Sequence, residues 1–162
     1  MRRLVPFLAL FAPLAACRGK SEADSGPEFV EKFAKAAREK DMETLWALFS
    51  QDTQSLFTES AKAVLDRAKG SPEAAKRIKL DYDFTQEVDQ IDPVLFAKTR
   101  IKKDRKQDLE TWGGARALDV TDDGGGCTVA VELPGKGRCN WVLVREKKYL
   151  RLNWVDSKMD GR

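Results

Sequence analysis

The chain has 162 residues, enough for one domain with a substantial core, and a formal net charge of +3 from 29 basic and 26 acidic residues. It contains no histidine. That excludes Ser-His-Asp and Cys-His nucleophilic systems, histidine-ligated zinc and the commonest general base, and the near balance of charge implies no nucleic-acid partner.

Arg2 and Arg3 open the chain, and Leu4 to Ala16 is an uncharged apolar run of 13 residues. A bilayer span needs about 20 such residues. A positive start, a short apolar core and small residues at its end predict a secretory signal peptide over residues 1–16. The end reads Leu14-Ala15-Ala16-Cys17 and resembles the lipobox of bacterial lipoproteins. The resemblance implies cleavage before Cys17, acylation of that cysteine and a stable membrane anchor. In the family's sorting logic an Asp after the cysteine favours the inner membrane, so Arg18 implies outer-membrane anchoring, facing the periplasm. Cleavage would remove two arginines and no acid, leaving a net charge of +1.

Residues 17–26 read as the lipidated cysteine and a flexible polar tether that holds the domain off the membrane. A single domain is expected over residues 27–158. Pro27 suits a first helical turn, with Ser25 or Gly26 as cap. Phe29, Val30, Phe33 and Ala37 then make one apolar stripe of a helix ending near Glu39. Asp41 caps a short second helix with the stripe Met42, Leu45, Trp46 and Phe49. Asp52 or Thr53 caps a third, striped by Leu56, Phe57, Ala61, Val64, Leu65 and Ala68 and closed at Gly70. Ser71-Pro72 starts a fourth, through about Lys79.

The segment from Asp81 to Asp92 (DYDFTQEVDQID) supports two readings. Tyr82, Phe84 and Val88 alternate with acids, as on a half-buried strand. Asp81, Asp83, Thr85, Glu87, Asp89 and Asp92 also fall at the ligand positions of a twelve-residue calcium loop. Gln86 stands where the loop's sharp turn needs glycine, and Asp92 is a shorter bidentate ligand than glutamate. An acidic strand or loop is therefore the expectation, with calcium as the alternative.

Asp92-Pro93 begins one further helix, carried by Val94, Ala97, Ile101, Leu109 and Trp112 to Gly113-Gly114. It contains Lys98, Arg100, Lys102, Lys103, Arg105 and Lys106. These form either a surface patch for anionic lipid headgroups or cell-wall polymer, or a solvated face paired in part by Asp104 and Asp108. The solvated face is the expectation.

From Ala115 the period changes to two, predicting four strands. The first, about Ala115 to Thr121, places Leu118 and Val120 on one face. The second aligns Cys127, Val129, Val131 and Leu133, the third Cys139, Trp141 and Leu143, and the fourth Leu150, Leu152 and Trp154. A two-residue Lys147-Lys148 turn sets Glu146 opposite Tyr149, Leu143 opposite Leu152 and Trp141 opposite Trp154. A Gly135-Lys136-Gly137 loop sets Cys139 opposite Leu133 and Cys127 opposite Arg145. The cysteines would then lie roughly 20 Å apart along the strands. A disulfide needs Cα atoms within about 7 Å, so both are expected to be buried free thiols.

Helices followed by an antiparallel meander predict an α+β domain with N-terminal amphipathic helices packed on a four-stranded sheet. The opening PEFVEKFAKAAREKDMETLWALFS and the closing CNWVLVREKKYLRLNW resemble NTF2-like (cystatin-like) domains. The resemblance implies a cone-shaped fold that serves enzymes, ligand carriers and scaffold modules alike. Its enzymes commonly use an Asp base with Tyr or Asp donors, for which Asp83, Asp89, Asp119 and Tyr82 are the candidates. No acid falls on the inward positions of the predicted strands, and no pattern implies a cofactor. The expected function is a non-catalytic, membrane-tethered binding or scaffold domain for an envelope protein or small ligand. The alternatives are a His-free enzyme with a carboxylate base and a calcium-dependent envelope module.

Overall fold

The computed structural model describes residues 22–157 and 159, so the apolar start and Cys17 lie outside the described residues. Among the described residues, six α-helices precede a four-stranded antiparallel meander, giving the α+β order expected. The helices are α1 (Gly26–Glu39), α2 (Met42–Leu48), α3 (Gln51–Lys69), α4 (Pro72–Asp81), α5 (Pro93–Asp104) and α6 (Lys106–Trp112). The strands are β1 (Arg116–Asp122), β2 (Gly126–Leu133), β3 (Gly137–Glu146) and β4 (Tyr149–Asn153), in that spatial order.

Local chemistry accounts for most helix starts. Ser25, Asp41, Ser50, Ser71 and Asp92 each accept a backbone N–H with the side chain at an N-cap. The cap of α3 is thus Ser50, not Asp52 or Thr53. A cap chosen from local pattern alone slips easily when several hydroxyl and acidic residues run together. α1 ends at Lys40, whose φ of 54° turns the chain out of the helix. The long helix expected after Asp92 is two helices, broken at Arg105 with φ −108° and ψ 31°.

The segment after α4 is not a strand. Asp81 closes α4, Asp83 turns at φ 59°, and Val88–Gln90 forms one 3₁₀ turn. Tyr82 and Phe84 pack edge-on against Phe96 of α5, at 5.1 and 5.9 Å between ring centroids. Tertiary contact with a helix, rather than strand pairing, satisfies the apolar positions here.

The hairpin β3–β4 has the expected two-residue turn, with Glu146 opposite Tyr149 and Leu143 opposite Leu152. The ladder ends at Val142 opposite Asn153, so Trp154 lies one residue beyond it and turns in among the helices. Between β2 and β3 the loop is Pro134-Gly135-Lys136, and Leu133 faces Gly137. The pairing is therefore shifted by two residues from the expected one. An even shift keeps every side chain on its predicted face. Cys127 now faces Leu143, and Cys139 faces Val131. The thiols are free, Cys127 buried and Cys139 half-buried, and four residues of strand separate their rungs, roughly 13 Å.

In β1 a bulge between Ala117 and Asp119 leaves Leu118 as the extra residue, so Leu118 and Val120 do not share a face. Leu118 is 51% and Val120 38% exposed. Gly126 opens β2 against a neighbour: a Cβ there would meet the Leu143 carbonyl oxygen at 2.0 Å.

The interior is filled with aromatic rings. Phe33 of α1 is fully buried against Phe49, Trp112 and Trp141, with centroids 5.9, 5.9 and 4.9 Å away. Trp154 joins Phe49, Phe57 and Trp112 at 5.9, 5.4 and 5.2 Å. Such tilted and edge-on pairs add about 0.5–1.5 kcal/mol each beyond burial. The outer edge of β4 is covered in two places. Ser50 N donates to Leu152 O at 2.9 Å, and Leu150 N donates to Ala23 O at 2.9 Å. Ala23 is fully buried. Packing therefore reaches back to Ala23, and the polar segment counted as tether is shorter than residues 17–26.

Candidate functional site

A half-open cleft of about 410 Å³ lies between α3 and the α5–α6 pair. Its position follows from spacing. Ala97, Arg100, Ile101 and Asp104 recur on one face of α5, which the chain turns toward Phe57 and Ser60 of α3, and Arg105 and Asp108 join them across the break into α6. Phe57, Ala97 and Ile101 supply the apolar lining. Arg100 and Arg105 supply cations, Asp104 and Asp108 carboxylates.

Both guanidinium groups are laid on rings. Arg105 sits 4.9 Å from the Trp154 ring centroid and Arg100 5.9 Å from that of Phe96. Each also pairs with a carboxylate: Arg100 Nε with Asp104 at 3.5 Å and Arg105 Nη1 with Asp108 at 3.3 Å. Neither carboxylate depends on its arginine alone. Asp104 accepts the Tyr82 hydroxyl at 2.9 Å, and Asp108 pairs with Lys136 at 3.0 Å. Burial and the Asp104 carboxylate push the Tyr82 phenol above its ordinary range, so it remains a protonated donor. The arrangement can orient an anionic group; no nucleophile with an adjacent base stands among these lining residues.

The basic stretch does not form one continuous patch. Lys98 pairs with Glu43 at 2.6 Å, and Lys103 with Asp83 at 2.6 Å. Arg100 and Arg105 face the cleft with their carboxylates. Lys102 and Lys106 are exposed and form no ion pair among the described residues. The expected pairing by Asp104 and Asp108 is present, and surface pairs of this kind contribute little to stability.

The calcium-loop residues are dispersed. Asp81 ends α4, Asp83 and Glu87 hold Lys103 and Lys79 at 2.6 Å each, and Asp92 caps α5 through Leu95 N at 2.8 Å. Thr85 and Asp89 are exposed. Among the described residues no three acidic or thiol side chains converge. Of the candidate bases, Asp83 and Asp89 are exposed, and Asp119 is exposed on β1 with its carboxylate accepting Val120 N at 2.9 Å. Cys17 lies outside the described residues.

Two things were missed in sequence reasoning. The cleft was legible in part, because residues 97, 100, 101 and 104 share a helical face; that Asp108 would join them across a helix break, and that Phe57 and Trp154 would complete the cleft, was not. The buried hydroxyls of Ser50, Thr53 and Ser157, at 2%, 1% and 0% exposure, were not anticipated at all. No family model, curated protein or solved structure matches the chain.

Proposed function

We propose that this protein is a membrane-tethered, non-catalytic binding domain of the bacterial cell envelope, anchored through an acylated Cys17. The reading assigns it to the outer membrane facing the periplasm, from Arg18, and to the NTF2-like class, from the α1–α2 opening and the β3–β4 hairpin. The observation that carries the non-catalytic part is the filled interior. Phe33, Trp112, Trp141 and Trp154 occupy the space between helices and sheet where a catalytic carboxylate would have to be enclosed. Ser50, Thr53 and Ser157 are the buried polar residues among those described, and each is spent on backbone hydrogen bonds.

The short leash supports a domain held close to the bilayer. From Cys17 to Ala23 the chain advances six residues, about 20 Å at full extension. A domain of this size has a radius of gyration of about 14 Å and spans roughly 35 Å. An anchor of that length keeps the end of the domain bearing Ala23 and the β3–β4 hairpin nearest the membrane. Tyr149 on that hairpin is flanked by Lys148 and Arg151 at 5.0 and 5.7 Å from its ring centroid, a combination suited to a membrane interface.

The test is the intact mass of protein extracted from membranes, wild type beside Cys17→Ser. The expected wild-type mass is residues 17–162 plus acyl groups, lost in the variant. An unmodified, soluble wild type would overturn the anchored reading.

A further inference from the structure

The geometry points to the α3–α5 cleft as a binding site for a small organic carboxylate with a short apolar body. This deepens the binding-domain reading and rests on it. The cleft, about 410 Å³, falls in the size range of small-molecule sites. Its two chemistries are segregated: Phe57, Ala97 and Ile101 offer apolar surface, and Arg100 and Arg105 offer planar donors. Ring stacking on Phe96 and Trp154 pre-orients both guanidinium groups, which lowers the entropy lost on binding.

The objection is that each arginine already faces a carboxylate. At Arg100 the second partner of its carboxylate answers it. When an incoming carboxylate takes Arg100 from Asp104, the Tyr82 hydroxyl still donates to Asp104, whose side chain is 43% exposed and stays solvated. The contact given up is a single-point one of 3.5 Å. A bidentate arginine–carboxylate contact is stronger than that. A cationic ligand has no comparable place, because both cleft carboxylates are already shared between two donors.

The test uses the mature chain carrying Cys17→Ser, so that it is independent of acylation, and follows backbone amide NMR shifts during titration with octanoate. The expected result is saturable shifts confined to residues 97–105 and their α3 neighbours, with the millimolar affinity usual for a ligand of about ten heavy atoms. Arg100→Gln should weaken binding roughly tenfold, the effect of losing one charged hydrogen-bond partner. Lys102→Gln, an equal change of charge on the exposed side of the same helix, should leave it unchanged. Three results would overturn the inference: no saturable shift, equal shifts with n-octylammonium, or cleft shifts that follow protein concentration alone, which would assign the cleft to a second copy of the chain. An unacylated wild type in the mass measurement would overturn the anchor while leaving this titration to judge the cleft.

Discussion

Thr53 holds the start of α3 to the end of β4, and its hydroxyl is a sharper test of the fold than any core truncation. The residue is 1% exposed. Its Oγ1 donates to Leu152 O at 3.2 Å and accepts from Trp154 N at 3.0 Å and Ser50 Oγ at 2.9 Å. Thr53→Val keeps the shape and removes all three bonds. Leu152 O keeps the Ser50 N–H at 2.9 Å. Trp154 N loses its acceptor and becomes a buried orphan, costing about 1–3 kcal/mol. The added methyl returns at most about 0.8 kcal/mol. The buried Ser50 hydroxyl also loses its acceptor, about 1 kcal/mol more, so a net loss of about 2 kcal/mol follows, or roughly 6–10 °C in Tm for a domain of this size. Thr53→Ser keeps the hydroxyl and loses one methyl, about 1 kcal/mol. Urea unfolding followed by tryptophan fluorescence measures both, read as a shift in midpoint at constant slope. Packing alone ranks valine above serine; hydrogen bonding ranks serine above valine. A valine variant as stable as the serine variant would refute the account of this junction.

Phe33→Ala should cost about 3–5 kcal/mol, because the ring is fully buried among four other aromatic residues of the core, and Phe33→Leu distinctly less; equal losses in urea unfolding would contradict the ring packing. Gly126→Ala should destabilise strongly, since its Cβ would sit 2.0 Å from a backbone carbonyl oxygen that cannot move without breaking the β2–β3 ladder; a Tm within 2 °C of wild type would show otherwise, that being less than about 1 kcal/mol. Burial raises the Cys127 and Cys139 thiols above their ordinary range. The folded chain then holds protons that the unfolded chain releases, so stability is complete below the ordinary thiol range and falls as pH rises above about 8.5. Cys127→Ala and Cys139→Ala should each flatten that alkaline decline in unfolding free energy, and an undiminished slope in both would assign it elsewhere.

How far sequence alone reached is clearest at the caps and strands. Ser25, Asp41, Ser71 and Asp92 start their helices because an N-cap is a local bargain between one side chain and the backbone three residues on. The inward faces of β2, β3 and β4 were legible because strand alternation survives even a shift of two in pairing. The Lys147-Lys148 turn was legible because its length agrees with the apolar faces on both sides.

The features that needed tertiary structure all depend on partners distant in sequence. Leu118 leaves its face because β1 bulges against β2. The acidic segment 81–92 gives up strand pairing because Phe96 packs against Tyr82 and Phe84 and because Lys79 and Lys103 take its carboxylates. Arg100 and Arg105 leave the basic stretch for a cleft because Phe57, Phe96 and Trp154 gather beside them. The sequence by itself determined where helices begin, which strand positions are apolar and that no histidine chemistry is available, since each depends on residues within a few positions or on composition. Tertiary structure alone decided which charges cancel and which line a cleft. Ion pairs and ring contacts are set by distances between elements, and no local period records those.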